Sequence, residues 1–255
     1  MTHRPDSDSI SQEFPVGEPV QPSRPSSTLT RTVLSGKFVS LAPLDSARDA
    51  RDLYDAAHGN DESEQLWTYM PYGPFVGVEA MRRWLEERAV SEDPLFFAVV
   101  EQGSQTRIGM VSFLNNVPVM RRIELGHIWY SPAYQGTAIT TEAAYLMMHH
   151  AFDDLGYRRV EWKCDAFNAR SRQAALRLGF RFEGIFKKHM IIKGKNRDTA
   201  WFAVTDDEWP AVKKNIELWL YEEGLAAFAR RGVSLTELNA NLRKEGSWKA
   251  TGKDA

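Results

Sequence analysis

One stretch constrains the fold of this chain more than any other: residues 123–155, in which a strand-like segment passes through a small-residue loop into a long helix. The strand-like segment breaks at Ser131-Pro132, and the loop covers residues 135–139. Beyond the loop, small or apolar residues recur at every fourth position, namely Ala143, Met147, Ala151 and Leu155. This spacing predicts a helix with one buried face, packed against the sheet to which the strand belongs.

The start of that helix predicts a site for an anion. Thr140, Thr141 and Glu142 occupy its first positions, where capping and acidic residues are favoured. Backbone N–H groups at a helix N-terminus lack partners within the helix, so they can bind a phosphate or pyrophosphate group. The alternative is a tight turn that binds nothing. The loop carries one glycine, Gly136, so it is neither a dinucleotide-binding loop nor a Walker loop.

The composition is that of an ordinary globular protein and argues against several classes of function. Of 255 residues, 43% are hydrophobic and 26% are charged, and a net charge of −2 gives no basic field for nucleic acid or acidic membranes. The single cysteine, Cys164, excludes an internal disulfide and a cysteine-based zinc site. No apolar run reaches the roughly 20 residues that span a bilayer, and no signal-peptide core is visible. We therefore expect a cytoplasmic protein without nucleic-acid or membrane partners.

Four segments are predicted along the chain. Residues 1–30 are rich in Pro, Ser, Asp and Glu and are expected to form a disordered tail. Residues 31–206 alternate strand-like and helical patterns, residues 207–245 are predicted to form a helical extension, and residues 246–255 a loose tail. The order of elements predicts a mixed α/β (α+β) fold with a mostly antiparallel central sheet of about seven strands, flanked by helices.

Local patterns predict individual elements. Residues 33–41 are predicted to form one strand. In the extension, apolar residues at helical spacing predict a helix that ends at Gly224. Ser234 and Glu237 form a capping box that opens another helix.

An aromatic loop lies between two predicted helices. It places four aromatic residues, Trp67, Tyr69, Tyr72 and Phe75, within nine positions that proline and glycine interrupt. That density is unusual for a solvated loop. These side chains are predicted either to plug one end of the core or to form a substrate-binding wall of a pocket, and the sequence favours neither.

The loop before the long helix and its surroundings resemble a known family. The run YQGTAITTEA at residues 134–143 resembles the acyl-CoA-binding motif of the GNAT acyltransferases, whose general form is (Gln/Arg)-x-x-Gly-x-(Gly/Ala). The wider frame also matches in the expected order: ELGH at 124–127, NARS at 168–171, LGF at 178–180 and EG at 183–184. From about residue 33 to residue 206 the chain is similar to the RimJ/RimL-like branch, whose named members acetylate the N-termini of ribosomal proteins.

The resemblance implies an N-acetyltransferase that takes acetyl-CoA as co-substrate and needs no metal. Acetyl-CoA would lie where two strands splay apart, and a deprotonated amine would attack the thioester carbonyl directly in a ternary complex. His149 and His150 are adjacent on a helix and point about 100° apart, so they cannot share a metal ion. The resemblance assigns cofactor binding to Ile128, Trp129, Tyr130, Gln135, Gly136, Thr137, Ala138, Ile139, Thr140, Asn168 and Ser171.

Two titratable residues are candidates for the base that deprotonates the amine. An amine with a pKa of about 8 to 10 is mostly protonated at neutral pH, so its proton has to be removed before attack. Strict alternation puts Glu124 and His127 on opposite faces of their strand, whereas a bulge at Gly126 would bring both to one face. Glu124, acting through water, is the first choice. The structural alternatives are a salt bridge from Glu124 to Arg122 or Arg159, and a core position for His127.

Departures from the family pattern leave a second function open. The usual arginine before the loop glycine is replaced by Gln135, which removes a cation from the pyrophosphate site. The position that holds a tyrosine general acid in many relatives is Ala175. The chain could therefore be an acyl-CoA-binding or sensing module that has lost catalysis. Asn168 is assigned a catalytic and cofactor-binding role by the resemblance, and it could also simply cap the next helix.

The acceptor stays open at the sequence level. A protein N-terminus, an amino acid, a polyamine or another amine would all fit, and a homodimer is one assembly to consider. Basic residues cluster in a predicted hairpin, at Lys187, Lys188, Lys193, Lys195 and Arg197. They could contact an anionic partner, although a solvated turn is the better account of them.

Overall fold

A computed structural model describes residues 16–20, 29–222 and 233–245 of the chain. The strands are β1 (Leu34–Ser35), β2 (Val39–Pro43), β3 (Leu95–Glu101), β4 (Arg107–Val117), β5 (Arg122–Tyr130), β6 (Arg159–Asp165), β7 (Arg181–Ile192) and β8 (Lys195–Thr205). The α-helices in these residues are α1 (Ser46–Ala57), α2 (Asp61–Glu64), α3 (Val78–Ala89), α4 (Ala138–His149), α5 (Ala169–Arg177), α6 (Trp209–Glu217) and α7 (Leu235–Glu245).

The strands form one mixed sheet in the order β1-β2-β3-β4-β5-β6-β8-β7. Neighbouring strands are antiparallel except for β5 and β6, which α4 connects by a crossover. This confirms the predicted α/β (α+β) architecture with a mostly antiparallel sheet and flanking helices. The sheet has eight strands rather than about seven, because the first predicted strand is a hairpin.

The single parallel pair of strands separates halfway along its length. Register runs from Arg122 opposite Arg159 to Leu125 opposite Trp162 and ends there. Beyond that point β5 stays paired with β4, and β6 stays paired with β8. The sheet therefore opens into a wedge between Gly126 and Lys163, and the candidate site lies around this wedge.

Two apolar clusters hold the helices against the two faces of the sheet. On one face, Ala143, Met147, Ala151 and Leu155 are at most 4% exposed and pack on β2 to β6, as their spacing predicts. On the other face, α1, α3 and the aromatic loop enclose a second cluster around Trp67 and Phe96. Successive residues of the central strands fill both clusters, so the sheet is buried on both sides.

The strand predicted over residues 33–41 is interrupted by a turn that Glu142 stabilises. The Glu142 carboxylate is fully buried and accepts backbone N–H bonds from Lys37, Phe38 and Val39 at 2.6–2.9 Å. A Cβ at Gly36 would lie 2.5 Å from the Glu142 carboxyl carbon, so glycine is required where the turn approaches α4. Glu142 lies in the second turn of α4 and serves this hairpin rather than the helix N-terminus.

The helical extension is part of the main core. Trp209 stacks on Phe152 with ring centroids 5.0 Å apart, and Ile216 is fully buried. Ser234 and Glu237 form the predicted capping box at the start of α7, with the Ser234 amide donating to Glu237 Oε2 at 2.6 Å.

The predictions for residues 1–15, 21–28 and 246–255, and for a helix end at Gly224, lie outside the described residues.

No helix among the described residues is both long enough and apolar enough to cross a membrane.

Candidate active site

A β-bulge in β5 shapes the centre of the site. Ser112 of β4 pairs with Gly126 and Met110 pairs with Trp129, so β5 contains one extra residue in this interval. His127 absorbs it with a left-handed φ of +50°, which costs an L-residue about 1–2 kcal/mol. The side chains of Glu124 and His127 consequently line the same cavity, as a bulge near Gly126 would require.

That cavity, here called the acceptor cavity, has a volume of about 540 Å³. It is lined by residues of β5, β6 and the β7–β8 hairpin. Tyr69 and Met70 of the aromatic loop close one side. The lining carries charges of both signs, on Arg122, Glu124, Lys163, Asp165 and Arg197.

Glu124 is held as a buried ion pair. Its Oε2 atom accepts hydrogen bonds from Lys163 Nζ at 2.8 Å and from Asn115 Nδ2 at 2.6 Å, and its side chain is 7% exposed. Lys163 Nζ also lies 2.9 Å from Glu161 Oε2 and 3.9 Å from the Trp201 ring centroid. The predicted salt bridge of Glu124 therefore exists, but its partner is Lys163.

The arginines proposed as partners of Glu124 bind Glu161 instead. Arg159 donates to Glu161 Oε1 at 2.8 Å, and Arg122 lies 3.6 Å from Glu161 Oε2. Strand register is consistent with this arrangement. Arg122 pairs with Arg159 at the start of the parallel ladder, and Glu161 lies two residues further along β6, opposite Glu124. Burial raises the pKa of Glu161, but hydrogen bonds from Arg159 and Lys163 outweigh it and lower the pKa overall.

His127 is an apolar-packed, neutral imidazole. Its ring stacks on Tyr72 at 5.6 Å and lies 5.0 Å from Phe96, between ring centroids. Burial, together with the charges of Arg88 and Arg197, lowers the pKa of His127 to about 4. The imidazole is therefore uncharged at neutral pH and only a weak base.

A second cavity, here called the cofactor cleft, adjoins the first and has a volume of about 560 Å³. Most of the predicted cofactor-binding residues line it: Ile128, Trp129, Tyr130, Gln135, Gly136, Thr140, Asn168 and Ser171. Thr137, Ala138 and Ile139 do not. Ala138 is 6% exposed and belongs to the core, so its side chain faces away from the cleft.

The loop before α4 leaves the helix N-terminus open toward the cleft. Gly136 has a φ of +73°, and Thr137 is the N-cap residue. The Thr137 hydroxyl donates to the Tyr134 carbonyl oxygen at 2.6 Å and makes no capping bond. The first intrahelical amide is that of Thr141, which donates to Thr137 O at 3.2 Å. The amides of Ala138 to Thr140 are therefore the uncapped donors that an anion site needs.

The two cavities meet at the wedge. Ile128, Trp162, Asn168 and Ser171 line both of them. Asn168 caps α5, with its Oδ1 atom accepting from the Ser171 amide at 3.0 Å. Ser171 Oγ accepts from Trp162 Nε1 at 3.0 Å, and the Ser171 hydroxyl also hydrogen-bonds with the Cys164 thiol, which lowers the pKa of that thiol against the effect of burial.

The aromatic loop divides between the two interpretations given for it. Trp67 is 1% exposed, donates from Nε1 to Ala57 O and packs against Phe75, so both residues belong to the second apolar cluster. Tyr72 packs on Trp84 and backs His127. These three residues plug the core and do not line either cavity. Tyr69 alone of the four lines both cavities, and its hydroxyl donates to Phe167 O at 3.2 Å.

The sequence reasoning missed cations that line the cofactor cleft. Arg177, in the last turn of α5, lines the cleft and donates to Thr141 Oγ1 at 2.5 Å. Burial lowers the pKa of Arg177, and nearby Tyr130 opposes this. Arg170 lines the same cleft. Arg177 lies one position before the LGF run. Only the folded structure shows that its side chain reaches Thr141 near the start of α4. It therefore lies near the loop in which Gln135 replaces the expected cation.

Among the described residues no group of three His, Cys, Asp or Glu side chains has the spacing of a metal site. His149 and His150 face different partners, Asp153 and Asp154.

Comparisons with known proteins identify relatives of the chain. The sequence pattern of the family described as "Acetyltransferase (GNAT) domain" matches residues 39–181. The crystal structure of a GCN5-related N-acetyltransferase from Brucella melitensis is 38% identical and covers 87% of this chain and 100% of its own, with a TM-score of 0.81. The ribosomal-protein-serine acetyltransferase of Escherichia coli (strain K12) is 32% identical over 96 residues, which is 38% of this chain and 53% of that protein.

A more distant structure shares the fold alone. It is the microcin C7 self-immunity acetyltransferase in complex with acetyl-CoA and AMP, 21% identical, with a TM-score of 0.59 over 67% of this chain and 93% of that one. The chain spans little more than half the length of its two curated relatives of 30% and 32% identity, 57% and 53% respectively.

Proposed function

The chain belongs to the GNAT acetyltransferase family, in its RimJ/RimL-like branch, and from this premise we propose that it moves an acetyl group from acetyl-CoA to a primary amine in a ternary complex. The observation that carries the proposal is the meeting of two cavities at the wedge between β5 and β6. One cavity has an uncapped helix N-terminus and two arginines for a cofactor, and the other has a buried carboxylate for an amine.

Acetyl-CoA fits the cofactor cleft by charge and by backbone pairing. The pyrophosphate would rest on the amides of Ala138 to Thr140, with Arg177 and Arg170 supplying the cations that Gln135 does not. The pantetheine would pair with β5 at Ile128 to Tyr130, on the side that β6 has left. With these contacts the thioester would lie at the junction, beside Asn168 and Ser171, which line both cavities.

The chemistry uses groups on the acceptor side of the junction. The amine nitrogen attacks the thioester carbonyl carbon, a C–N bond forms, and collapse of the tetrahedral intermediate breaks the C–S bond. Glu124, through water, takes the proton that the amine loses, and Lys163 holds the carboxylate in position. The CoA thiolate leaves at the junction beside Ser171, whose hydroxyl would donate a hydrogen bond to it in place of the Cys164 thiol.

The test is turnover of acetyl-CoA with a panel of primary amines, read as free CoA, beside a binding measurement with acetyl-CoA alone. We expect binding without amine and CoA release only with an acceptor. Binding without release for any amine would favour the second candidate, a sensing module, for which the buried Ala175 at the usual tyrosine position is the supporting observation.

The acceptor class that the relatives favour is a protein N-terminus, by similarity to the ribosomal-protein-serine acetyltransferase. Peptides with an N-terminal serine therefore belong in the panel beside amino acids and polyamines. A cytoplasmic location and a homodimer stay predictions, which cell fractionation and sedimentation would check.

A further inference from the structure

One cation in the acceptor cavity has no counter-charge of its own. Arg197 of β8 lines the cavity, and its Nε atom is buried without a hydrogen-bond partner. Among the described residues its guanidinium makes no ion pair, whereas Arg122 and Lys163 both contact Glu161. A buried guanidinium nitrogen without a partner is costly, so a ligand that supplies one is favoured.

Arg197 lies on the face of β8 that lines the acceptor cavity, together with Glu124 and His127 of β5. Strand alternation puts Arg197, Thr199 and Trp201 on one face of β8, and all three line the cavity. The positive charge of Arg197 contributes to the lowered pKa of His127 on β5, and it counteracts the burial that raises the pKa of the Cys164 thiol on β6. The guanidinium therefore lies within electrostatic reach of both strands that border the wedge.

We propose that Arg197 binds a carboxylate of the acceptor, so that the substrate is a primary amine that also carries a carboxylate. A guanidinium matches a carboxylate with two parallel hydrogen bonds, and the pair is strongest where water is excluded. The amine end then lies toward Glu124 and the carboxylate end toward Arg197, so each end of the substrate meets the opposite charge. This inference rests on the proposed function and narrows its substrate class.

Lys163 does not compete for this role. Its ammonium group already contacts Glu124 at 2.8 Å and Glu161 at 2.9 Å.

Polyamines fit the cavity less well, since they would bring a second cation toward Arg197 in place of an anion. The same chemistry has two sources, a free amino acid or a peptide with an acidic N-terminal residue, and the experiment separates them.

The experiment compares matched acceptors that differ only in the carboxylate. One arm uses amino acids and their amides; the other uses dipeptide amides that begin with Asp or Glu, against those that begin with Asn or Gln. The proteins are the parent, Arg197→Gln, Arg197→Lys and the control Lys195→Gln, which removes an exposed cation of the same strand. The readouts are kcat/KM for free CoA release and binding of acetyl-CoA alone.

In at least one arm we expect the parent to prefer the carboxylate acceptor by tenfold or more, since the amide cannot form the charge-assisted hydrogen bonds that the carboxylate forms. Arg197→Gln should reduce the preference to about one, Arg197→Lys should keep part of it, and Lys195→Gln should keep all of it. Acetyl-CoA binding should be the same in all four, which shows that each is folded.

Two outcomes overturn the inference. The first is a parent that acetylates amines with no preference for carboxylates in either arm. The second is a preference that survives in Arg197→Gln. In both cases CoA release still occurs, so the proposed function stands. An absence of CoA release with every amine, at normal acetyl-CoA binding, contradicts the proposed function itself.

Discussion

Lys163 Nζ lies 2.8 Å from Glu124 Oε2, and this ion pair joins β6 to β5 at the point where the two strands part. Both side chains are at most 9% exposed, so the pair is largely screened from water. Breaking a buried pair costs about 3–5 kcal/mol when the remaining charge has no other partner, and here Lys163 would keep Glu161 at 2.9 Å, so the cost should be smaller. The proposed base is therefore also a structural element, and any test of its chemistry needs a control for stability.

Glu124→Gln is expected to lower kcat about 100-fold or more, because the amide keeps the shape and loses the basicity. The acidic limb of the pH profile should change, and the KM for acetyl-CoA should stay within about twofold. Steady-state kinetics from pH 5 to pH 9 measures this.

Glu161→Gln is the matched control for that variant. It removes the other carboxylate beside Lys163 from a residue that lines neither cavity. It should lower the melting temperature while kcat stays near normal. If Glu124→Gln instead keeps a normal kcat and the same acidic limb, Glu124 is purely structural, and His127→Gln is the next variant to assay.

Gly136→Val is expected to raise the KM for acetyl-CoA tenfold or more. A β-branched residue is strained at a φ of +73°, so the loop would shift and misplace the amides of the anion site. Gly156→Val is a matched control, since Gly156 has a φ of +69°, equally open surroundings and no position in either cavity. Equal KM values in the two variants would remove Gly136 from the cofactor site.

Asn168 separates helix capping from cofactor contact. Asn168→Asp keeps the oxygen that accepts from the Ser171 amide and removes the NH₂ donor. We expect it to keep the melting temperature but to lose roughly 1–3 kcal/mol of transition-state stabilisation, measured through kcat/KM. Asn168→Ala should show both losses. Normal kinetics in Asn168→Asp would leave the cap as the sole role.

A protein that ends at residue 207 is expected to be insoluble or inactive, because Trp209, Val212 and Ile216 are buried in the main core, where Trp209 stacks on Phe152. Trp209→Ala in the full chain tests the same contact without truncation and should lower the free energy of unfolding by about 3–5 kcal/mol. Denaturant unfolding measures it. A soluble, fully active protein ending at residue 207 would contradict the expectation for the extension.

Removal of residues 1–28 should leave activity unchanged, a prediction that rests on composition alone.

The lowered pKa of His127 makes stability depend on acidic pH. Burial, with Arg88 and Arg197, holds the folded pKa near 4, against about 6.5 when the chain is unfolded. Between these values the unfolded state binds more protons, so this contribution is fully present above pH 6.5 and is lost as the pH falls toward 4. His127→Gln should reduce the loss over that range by an amount on the order of 2 kcal/mol. Identical pH dependence in the variant and the parent, measured by thermal unfolding, would contradict it.

Regular periodicity predicted the buried face of the long helix well. The residues at four-residue spacing after the loop are buried as predicted. What periodicity could not show is the use of a polar side chain far away in the sequence. Glu142 takes the amides of residues 37–39 from more than 100 positions away, and that contact splits one predicted strand into two.

The site was predictable where local backbone rules set it. The small-residue loop, the N-terminus of α4 and the bulge near Gly126 follow from residue types and strand parity. The partners of the charged side chains were not predictable, because ion pairing depends on which strands become neighbours. Lys163 pairs with Glu124 only because β6 lies parallel to β5, and Arg177 lines the cofactor cleft only because the end of α5 lies beside the start of α4.

The wedge between β5 and β6 amounts to a sheet edge placed in the interior of a sheet. Beyond Leu125 the ladder has ended, although strands flank the gap on either side. Proteins usually protect such edges with charges, prolines or covering loops, because unpaired strands adhere to other extended chains. Here the natural cover is a ligand that pairs along the strand. If acetyl-CoA binds as proposed, its pantetheine would also protect this interior edge from pairing with another extended chain.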